Sequence, residues 1–292
     1  MKKIILTLII ILIAVYAAFS LLGIGGEYAA EKLFYRAMKA NEKIVINPDV
    51  APPKLLASVE NNLQKILKKY PDSNTAKGAR MALSEFYLYR KKYDEAFSIL
   101  NAVIDTEDVK TESKDIAMLS KAHFYKGIIY EQQNQWGNAL KEYTILRDEY
   151  TATALGLQIP LYIGRYYKEK GETAEADKAY NEAARFYEEL ERNNRGKVLG
   201  YAASTLLGQT YMTLEQYEQA GKVVEDTINN YPADQTFAQQ LPLAESIFVK
   251  MLKRPEKAVE IYKYVQEKTN NKELKEILKK KIGELESQLE AK

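Results

Sequence analysis

Apolar residues are arranged in two different ways along the chain. From Ile4 to Gly25 they form an almost unbroken run, in which Thr7 and Ser20 are the only clearly polar residues. After this run, apolar residues recur three and four positions apart, which is the spacing of one face of an α-helix. The pattern therefore predicts an apolar N-terminal segment followed by a long body of amphipathic helices.

The apolar run is long enough to cross a membrane, since about 20 helical residues span a hydrocarbon core of ~30 Å. Two interpretations fit a run that follows Met1-Lys2-Lys3. One is an uncleaved signal anchor over residues 1–26, and the other is a secretory signal peptide that is removed. The run exceeds the usual signal-peptide core and lacks a clean Ala-x-Ala site. We predict the anchor and retain the cleaved form as the alternative.

Basic residues flank the apolar run on both sides. Lys2 and Lys3 precede it, and the nearest flank after it, from Gly23 to Ala30, carries no positive charge. Farther along stand four more cations: Lys32, Arg36, Lys39 and Lys43. Weighting the nearest flank, the positive-inside rule predicts a cytoplasmic N-terminus. The body would then lie on the periplasmic side of a cytoplasmic (inner) membrane, with the reverse topology as the alternative.

Five blocks of the body share one pattern, in which a small residue is followed twelve positions later by alanine. The pairs are Ser84 and Ala96, Gly127 and Ala139, Gly164 and Ala176, Gly208 and Ala220, and Ser246 and Ala258. Tyrosine stands three positions after the small residue in four blocks, as Tyr87, Tyr130, Tyr167 and Tyr211. The blocks start 43, 37, 44 and 38 residues apart, so the chain repeats one structural unit.

Each block has the pattern of a helical hairpin. The clearest pair is predicted over Tyr201–Leu214 and Glu215–Asn229. Gly208 and Ala220 would let the two backbones approach closely, and Tyr211 would fill the space beside them. Such a hairpin cannot bury both faces alone, so consecutive hairpins stack on one another.

This pattern resembles the tetratricopeptide repeat (TPR) family over roughly residues 75–270. The segments Lys92–Ala96, Gln135–Ala139 and Gln216–Ala220 match the family's turn and second-helix start, and Pro232 matches its closing proline. The resemblance implies an all-α, TPR-like α-solenoid of stacked antiparallel helical hairpins, and the apolar run predicts one transmembrane helix that precedes it. Two charged residues depart from the pattern, because Lys126 and Glu245 stand at an apolar position of the first helix.

The flanks complete the predicted organisation. Residues 27–71 are predicted as a divergent first helical pair, with helices over Glu27–Ala40 and Pro53–Tyr70 and a Pro-rich loop over Asn41–Pro53. Residues 72–271 hold about five hairpins, and the fifth is degenerate because it contains Pro242 and Pro255. Residues 272–292 are predicted as a C-terminal capping helix, with a short coiled coil as the alternative.

Composition excludes several kinds of function. The 292 residues carry a net charge of +2, no cysteine and a single histidine, His123. The charge gives no reason to expect nucleic-acid binding. Phosphate-loop, dinucleotide, nucleophile-elbow and zinc-protease motifs are absent from the sequence. We predict no catalytic residue, cofactor, metal or small-molecule substrate, and we interpret Glu188, Glu189 and Glu191 as a solvated helix face.

The TPR resemblance implies a concave groove lined by the first helices of the hairpins. Projected onto this sequence, the protein-binding positions combine apolar residues with scattered charges of both signs. They are Met81, Glu85, Leu88, Tyr89, Phe124, Ile128, Glu131, Leu161, Arg165, Lys168, Gln209, Met212, Ile247 and Lys250. This lining suits an amphipathic helix or an extended peptide. Packing between repeats is the alternative role for its apolar members.

The sequence thus predicts a non-catalytic, membrane-tethered scaffold that binds proteins or peptides of the envelope machinery. A cleaved, soluble periplasmic adaptor is the first alternative. An α/α-helical carbohydrate-active enzyme is the second, and it would need paired carboxylates facing one cleft. The repeat register supplies alanine, glycine and tyrosine at the shared positions and no shared carboxylate.

Overall fold

The structure is a computed structural model that describes residues 24–46, 51–105 and 113–291. These residues are helical throughout their regular structure and contain no strand, which confirms the all-α prediction. Most of the predicted anchor, residues 1–23, lies outside the described residues. Among the helices that are described, none is both long and apolar enough to cross a membrane.

The chain divides into two compact units, residues 1–146 and 147–292, with the division inside helix α6. The first unit's helices are α1 Ile24–Ile46, α2 Pro53–Lys69, α3 Asn74–Tyr89, α4 Tyr93–Ile104, α5 Ser113–Gln132 and most of α6, Trp136–Glu149. The second unit's helices are α7 Ala154–Glu169, α8 Thr173–Asn193, α9 Val198–Thr213, α10 Tyr217–Asn230, α11 Asp234–Ala244, α12 Pro255–Lys268 and α13 Lys272–Glu290. A π-helical segment, Glu245–Met251, continues α11.

The first helical pair of unit 1 is longer than the sequence pattern suggested. Helix α1 continues to Ile46, so the predicted loop from Asn41 is wrong for its first six residues. The reason is that its buried stripe continues at helical spacing through Ala40 and Ile44. This stripe packs along α2, which buries Val59, Leu63 and Ile66.

Glu27 ties the start of α1 to the start of α3. Its carboxylate accepts backbone N–H groups of Asn74 (2.8 Å) and Thr75 (3.0 Å), and the Thr75 hydroxyl at 2.6 Å. The hydrogen bond from Thr75 is the main reason that the pKa of Glu27 is lowered. The carboxylate satisfies helix N–H groups that have no partner within α3, although Glu27 is far away in sequence.

The five hairpin turns share one backbone conformation. Seven positions after each small residue, the chain adopts a positive φ of 56° to 76°, at Lys91, Asn134, Gly171, Glu215 and Lys253. In the first four turns, the next N–H donates to the carbonyl of the repeat tyrosine at 2.8 to 2.9 Å, as Lys92 does to Tyr87. Such a bond closes a helix C-terminus around a left-handed residue. The turns are therefore independent evidence for the register of the five blocks.

The fifth hairpin has the same left-handed residue, but a different hydrogen bond closes its turn. Helix α11 passes Pro242 and widens into the π-helical segment, and the N–H of Arg254 donates to Phe248 at 2.7 Å. This bond encloses one residue more than its counterparts do. Pro255 then opens α12, where a proline loses no helical hydrogen bond. The hairpin that looked degenerate in sequence thus keeps the common offsets, and the π-helical segment changes only which carbonyl closes the turn.

Two of the small residues face a buried tyrosine of the second helix. A Cβ atom built on Gly127 would fall on the Tyr143 ring, and one built on Gly164 would lie 2.6 Å from the Tyr180 ring. Gly208 is different, because a Cβ there would meet only a Val223 methyl at 3.6 Å. At these two positions the tyrosine ring leaves no room for a side chain on the first helix.

We expect Gly127→Ala and Gly164→Ala each to lower the free energy of unfolding by about 1–3 kcal/mol, because the buried rings cannot move aside cheaply. Gly208→Ala is the matched control, which we expect to be neutral or to stabilise the protein by up to about 1 kcal/mol through helix propensity. Urea denaturation measures all three. Equal losses at the three positions would contradict the assigned contacts.

Candidate functional site

The predicted groove residues lie at three levels of exposure. Met81 and Ile247 are buried, so their side chains belong to the core and are not accessible to a partner. Half-buried are Glu85, Leu88, Phe124, Ile128, Glu131, Leu161 and Met212. Exposed are Tyr89, Arg165, Lys168, Gln209 and Lys250. The structure therefore leaves twelve of the fourteen positions at least partly accessible, and the binding role of these twelve stays a prediction.

In unit 1, four side chains of α3 and α5 form a surface cluster that we call the Glu85 cluster: Glu85, Tyr89, Lys121 and Tyr125. Lys121 pairs with Glu85 at 3.2 Å and lies 5.1 Å from the centre of the Tyr125 ring. Burial, followed by the charge of Glu85 and a hydrogen bond to it, raises the pKa of Tyr125. Tyr89 stands beside them with 77% of its surface exposed. The cluster thus joins fixed charges to a large accessible aromatic ring.

Two other predicted groove residues of α5 support the hairpin itself. Glu131 accepts a hydrogen bond from the buried Tyr143 hydroxyl. The Phe124 ring lies 6.2 Å from the Tyr143 ring. The sequence placed both residues on the partner face because helical spacing does not show which side chains reach across to the second helix.

In unit 2, the exposed predicted positions are mainly basic or polar. Arg165 and Lys168 lie on α7, and Gln209 lies on α9. Leu161 packs against a cluster that contains Ala183 and Tyr187, so it also contributes to the core. This face presents cations and amides rather than the mixed charges and tyrosines of the Glu85 cluster.

Lys126, the first departure from the repeat pattern, belongs to a buried polar network. Glu142 accepts hydrogen bonds from Lys126 at 2.9 Å, and its other oxygen lies 2.7 Å from Nδ1 of His123. Burial raises the pKa of Glu142, but hydrogen bonds from His123 and Lys126 outweigh it, so the pKa is lowered. The lysine therefore occupies an apolar position because the second helix supplies a carboxylate for it.

Glu245, the second departure from the repeat pattern, also has polar partners on neighbouring helices, in unit 2. It accepts the Tyr262 hydroxyl at 3.0 Å and pairs with Lys281 of α13. The hydrogen bond from Lys281 is the main reason that the pKa of Glu245 is lowered. Helix α13 also buries Leu278, Ile282 and Leu285 in the same hydrophobic cluster as α12. Charge and apolar burial together hold the last helix on its unit.

The carboxylates of α8 line an open cleft of about 520 Å³ beside α10. Cations are interspersed with them, and Arg195 pairs with Glu191 at 3.0 Å. Glu188 accepts the Tyr211 hydroxyl. Across the described ranges, no group of three or more His, Asp or Glu residues is placed to hold a metal ion.

These contacts define an all-α protein built from repeated helical hairpins. No protein-family model and no curated protein matches the chain. A solved tetratricopeptide repeat protein from Parabacteroides merdae ATCC 43184 is similar at 14% identity, over 88% of this chain and 99% of its own. Its TM-score of 0.29 is too low to support any argument about this chain.

The Glu142 network predicts a specific pH dependence. Because the folded pKa of Glu142 is lowered, its stabilising contribution is complete above the ordinary glutamate pKa and is lost as the pH falls through the folded value. We expect Glu142→Gln to lower the free energy of unfolding at pH 7 by about 3 kcal/mol, since it breaks a buried ion pair.

The difference in free energy of unfolding between Glu142→Gln and the parent protein should become smaller as the pH falls below about 4.5. Denaturant titrations between pH 7 and pH 3 measure it. The exposed Glu95→Gln is the control, for which we expect no comparable gap. A Glu142→Gln gap that stays constant across this range would show that the carboxylate does not titrate within the network.

Proposed function

We propose that the protein is a non-catalytic helical-repeat scaffold that binds partner polypeptides through the first helices of its hairpins. The observation that carries this proposal is the Glu85 cluster, where the exposed ring of Tyr89 adjoins the Glu85–Lys121 ion pair and Tyr125. Tyrosine buries much area at low entropic cost, and such residues dominate the energetics of protein interfaces. A preorganised charge pair beside it fixes the register of a bound peptide.

We further propose that residues 4–25 hold the scaffold in the cytoplasmic membrane, with the body on the periplasmic side. The support is the length of the apolar run and its Lys-Lys start. Tethering in the membrane plane would raise the effective concentration of the binding face toward membrane-bound partners. On this proposal the partners are proteins of the envelope machinery.

We test the binding face with a photoreactive phenylalanine analogue in place of Tyr89, in the full chain in native membranes. We expect a discrete crosslinked adduct whose yield falls at least about tenfold in the Glu85→Ala/Lys121→Ala background, the loss typical of an interface hot spot. The same analogue at Ile277, an exposed position on α13, is the control. Equal adducts from both positions, or a yield unaffected by the double substitution, would count against this face.

We test the tether by alkaline extraction and protease treatment of inverted membrane vesicles. The expected result is that the chain stays in the membrane fraction with its original N-terminus, and that its body is protected inside the vesicles. Digestion of the body from outside would establish the reverse topology. Release of a chain shortened at its N-terminus would establish the cleaved adaptor.

A further inference from the structure

Helix α1 carries a second stripe, which faces away from its buried one. This exposed stripe carries tyrosines and cations at helical spacing, Tyr28, Lys32, Tyr35, Lys39 and Lys43, with the exposed carboxylates of Glu31 and Glu42 beside them. Tyr28 and Tyr35 expose 67% and 63% of their surface, and Lys39 lies 5.7 Å from the centre of the Tyr35 ring. These tyrosines lie outside the buried stripe by which α1 packs on α2.

The stripe adjoins a cleft between α1 and α2 with a volume of about 430 Å³. Every charged residue that lines this cleft is a cation: Arg36, Lys39 and Lys43. Ser58 and Asn62 of α2 line its other wall. None of the three cations forms an ion pair with another described residue. The cleft therefore offers unneutralised positive charge with hydrogen-bonding groups opposite it.

We propose that this stripe and cleft bind the head groups of anionic phospholipids, so that α1 lies along the membrane surface. The inference rests on the proposed tether for its location, since the stripe begins three residues after the apolar run. Tyrosine prefers the interface between hydrocarbon and water, and long cationic side chains reach the head groups from there. Cations near an anionic surface each add to the attraction.

The distance along α1 makes the proposal specific. Lys43 lies 15 residues beyond Tyr28, which is about 22 Å along a helix. If α1 stood upright from the membrane, Lys43 would be well beyond the ~8 Å over which surface charge acts at physiological salt. The whole stripe can therefore contact head groups only if α1 lies parallel to the membrane surface. Glycines at positions 23, 25 and 26 give this part of the sequence a low helix propensity.

The experiment uses the full chain in nanodiscs, and the absence of cysteine gives each variant a single labelling site. Ser58→Cys places a fluorophore at the cleft, and Ser98→Cys places one at an exposed position on α4 as the control. The lipids carry a head-group quencher. Bilayers of phosphatidylcholine alone are compared with bilayers containing phosphatidylglycerol, and alkaline extraction of matching liposomes measures insertion separately.

We expect strong quenching at Ser58→Cys in phosphatidylglycerol bilayers, weak quenching in phosphatidylcholine, and weak quenching at Ser98→Cys in both. Each surface cation contributes about fivefold to association with an anionic membrane, so Arg36→Gln/Lys39→Gln should lower the ratio of docked to undocked molecules about 25-fold. Arg90→Gln/Lys141→Gln removes two exposed cations elsewhere in the same unit and should leave that ratio unchanged.

An inserted chain whose Ser58 label stays unquenched in phosphatidylglycerol would overturn the inference and leave the tether intact. The inference would also fail if both double variants weakened quenching equally, because only net charge would then matter. If polyglutamate instead protected the Ser58 label from a soluble quencher, the stripe would be a surface for acidic polypeptides. A chain that is extracted by alkali, yet shows phosphatidylglycerol-dependent quenching at Ser58, would disprove the tether and support the lipid surface.

Discussion

The close approach of the two helices within each hairpin is the constraint on which the rest of the structure depends. In the second and third hairpins the first helix has glycine opposite a buried tyrosine ring, Gly127 opposite Tyr143 and Gly164 opposite Tyr180. A methyl group there would meet the ring below the distance that atoms tolerate. The turn that joins the helices is equally fixed, because a left-handed residue stands at the same offset in all five hairpins.

This constraint explains how much of the fold could be predicted from sequence. The spacing of the small residues and alanines follows from backbone approach, so it is visible without any structure. The left-handed turn was not predicted, because four of its five positions hold Lys, Asn or Glu in place of glycine. The π-helical segment before Pro255 was also missed, because the fifth block has the same spacing of small residue and alanine as the other four.

The candidate site was predicted less completely, for a related reason. Helical periodicity shows which face of a first helix a residue lies on, but not whether the side chain contacts a partner or the neighbouring helix. For this reason Met81, which is buried, and Glu131, which bonds Tyr143, were both placed in the groove. The charges at Lys126 and Glu245 were visible as departures from the pattern. Their partners Glu142 and Lys281 could be found only in three dimensions.

The most direct test is a double-mutant cycle at Gly164 and Tyr180, measured by denaturant unfolding of the parent protein, Gly164→Ala, Tyr180→Val and the double variant. Valine is the residue at the equivalent position of the fourth hairpin, Val224. If the Tyr180 ring occupies the space of a Cβ atom at position 164, Gly164→Ala should lower the free energy of unfolding when Tyr180 is present. The same substitution should change it little in the Tyr180→Val background. We expect a coupling free energy of about 1–3 kcal/mol between the two positions. A coupling near zero would contradict it.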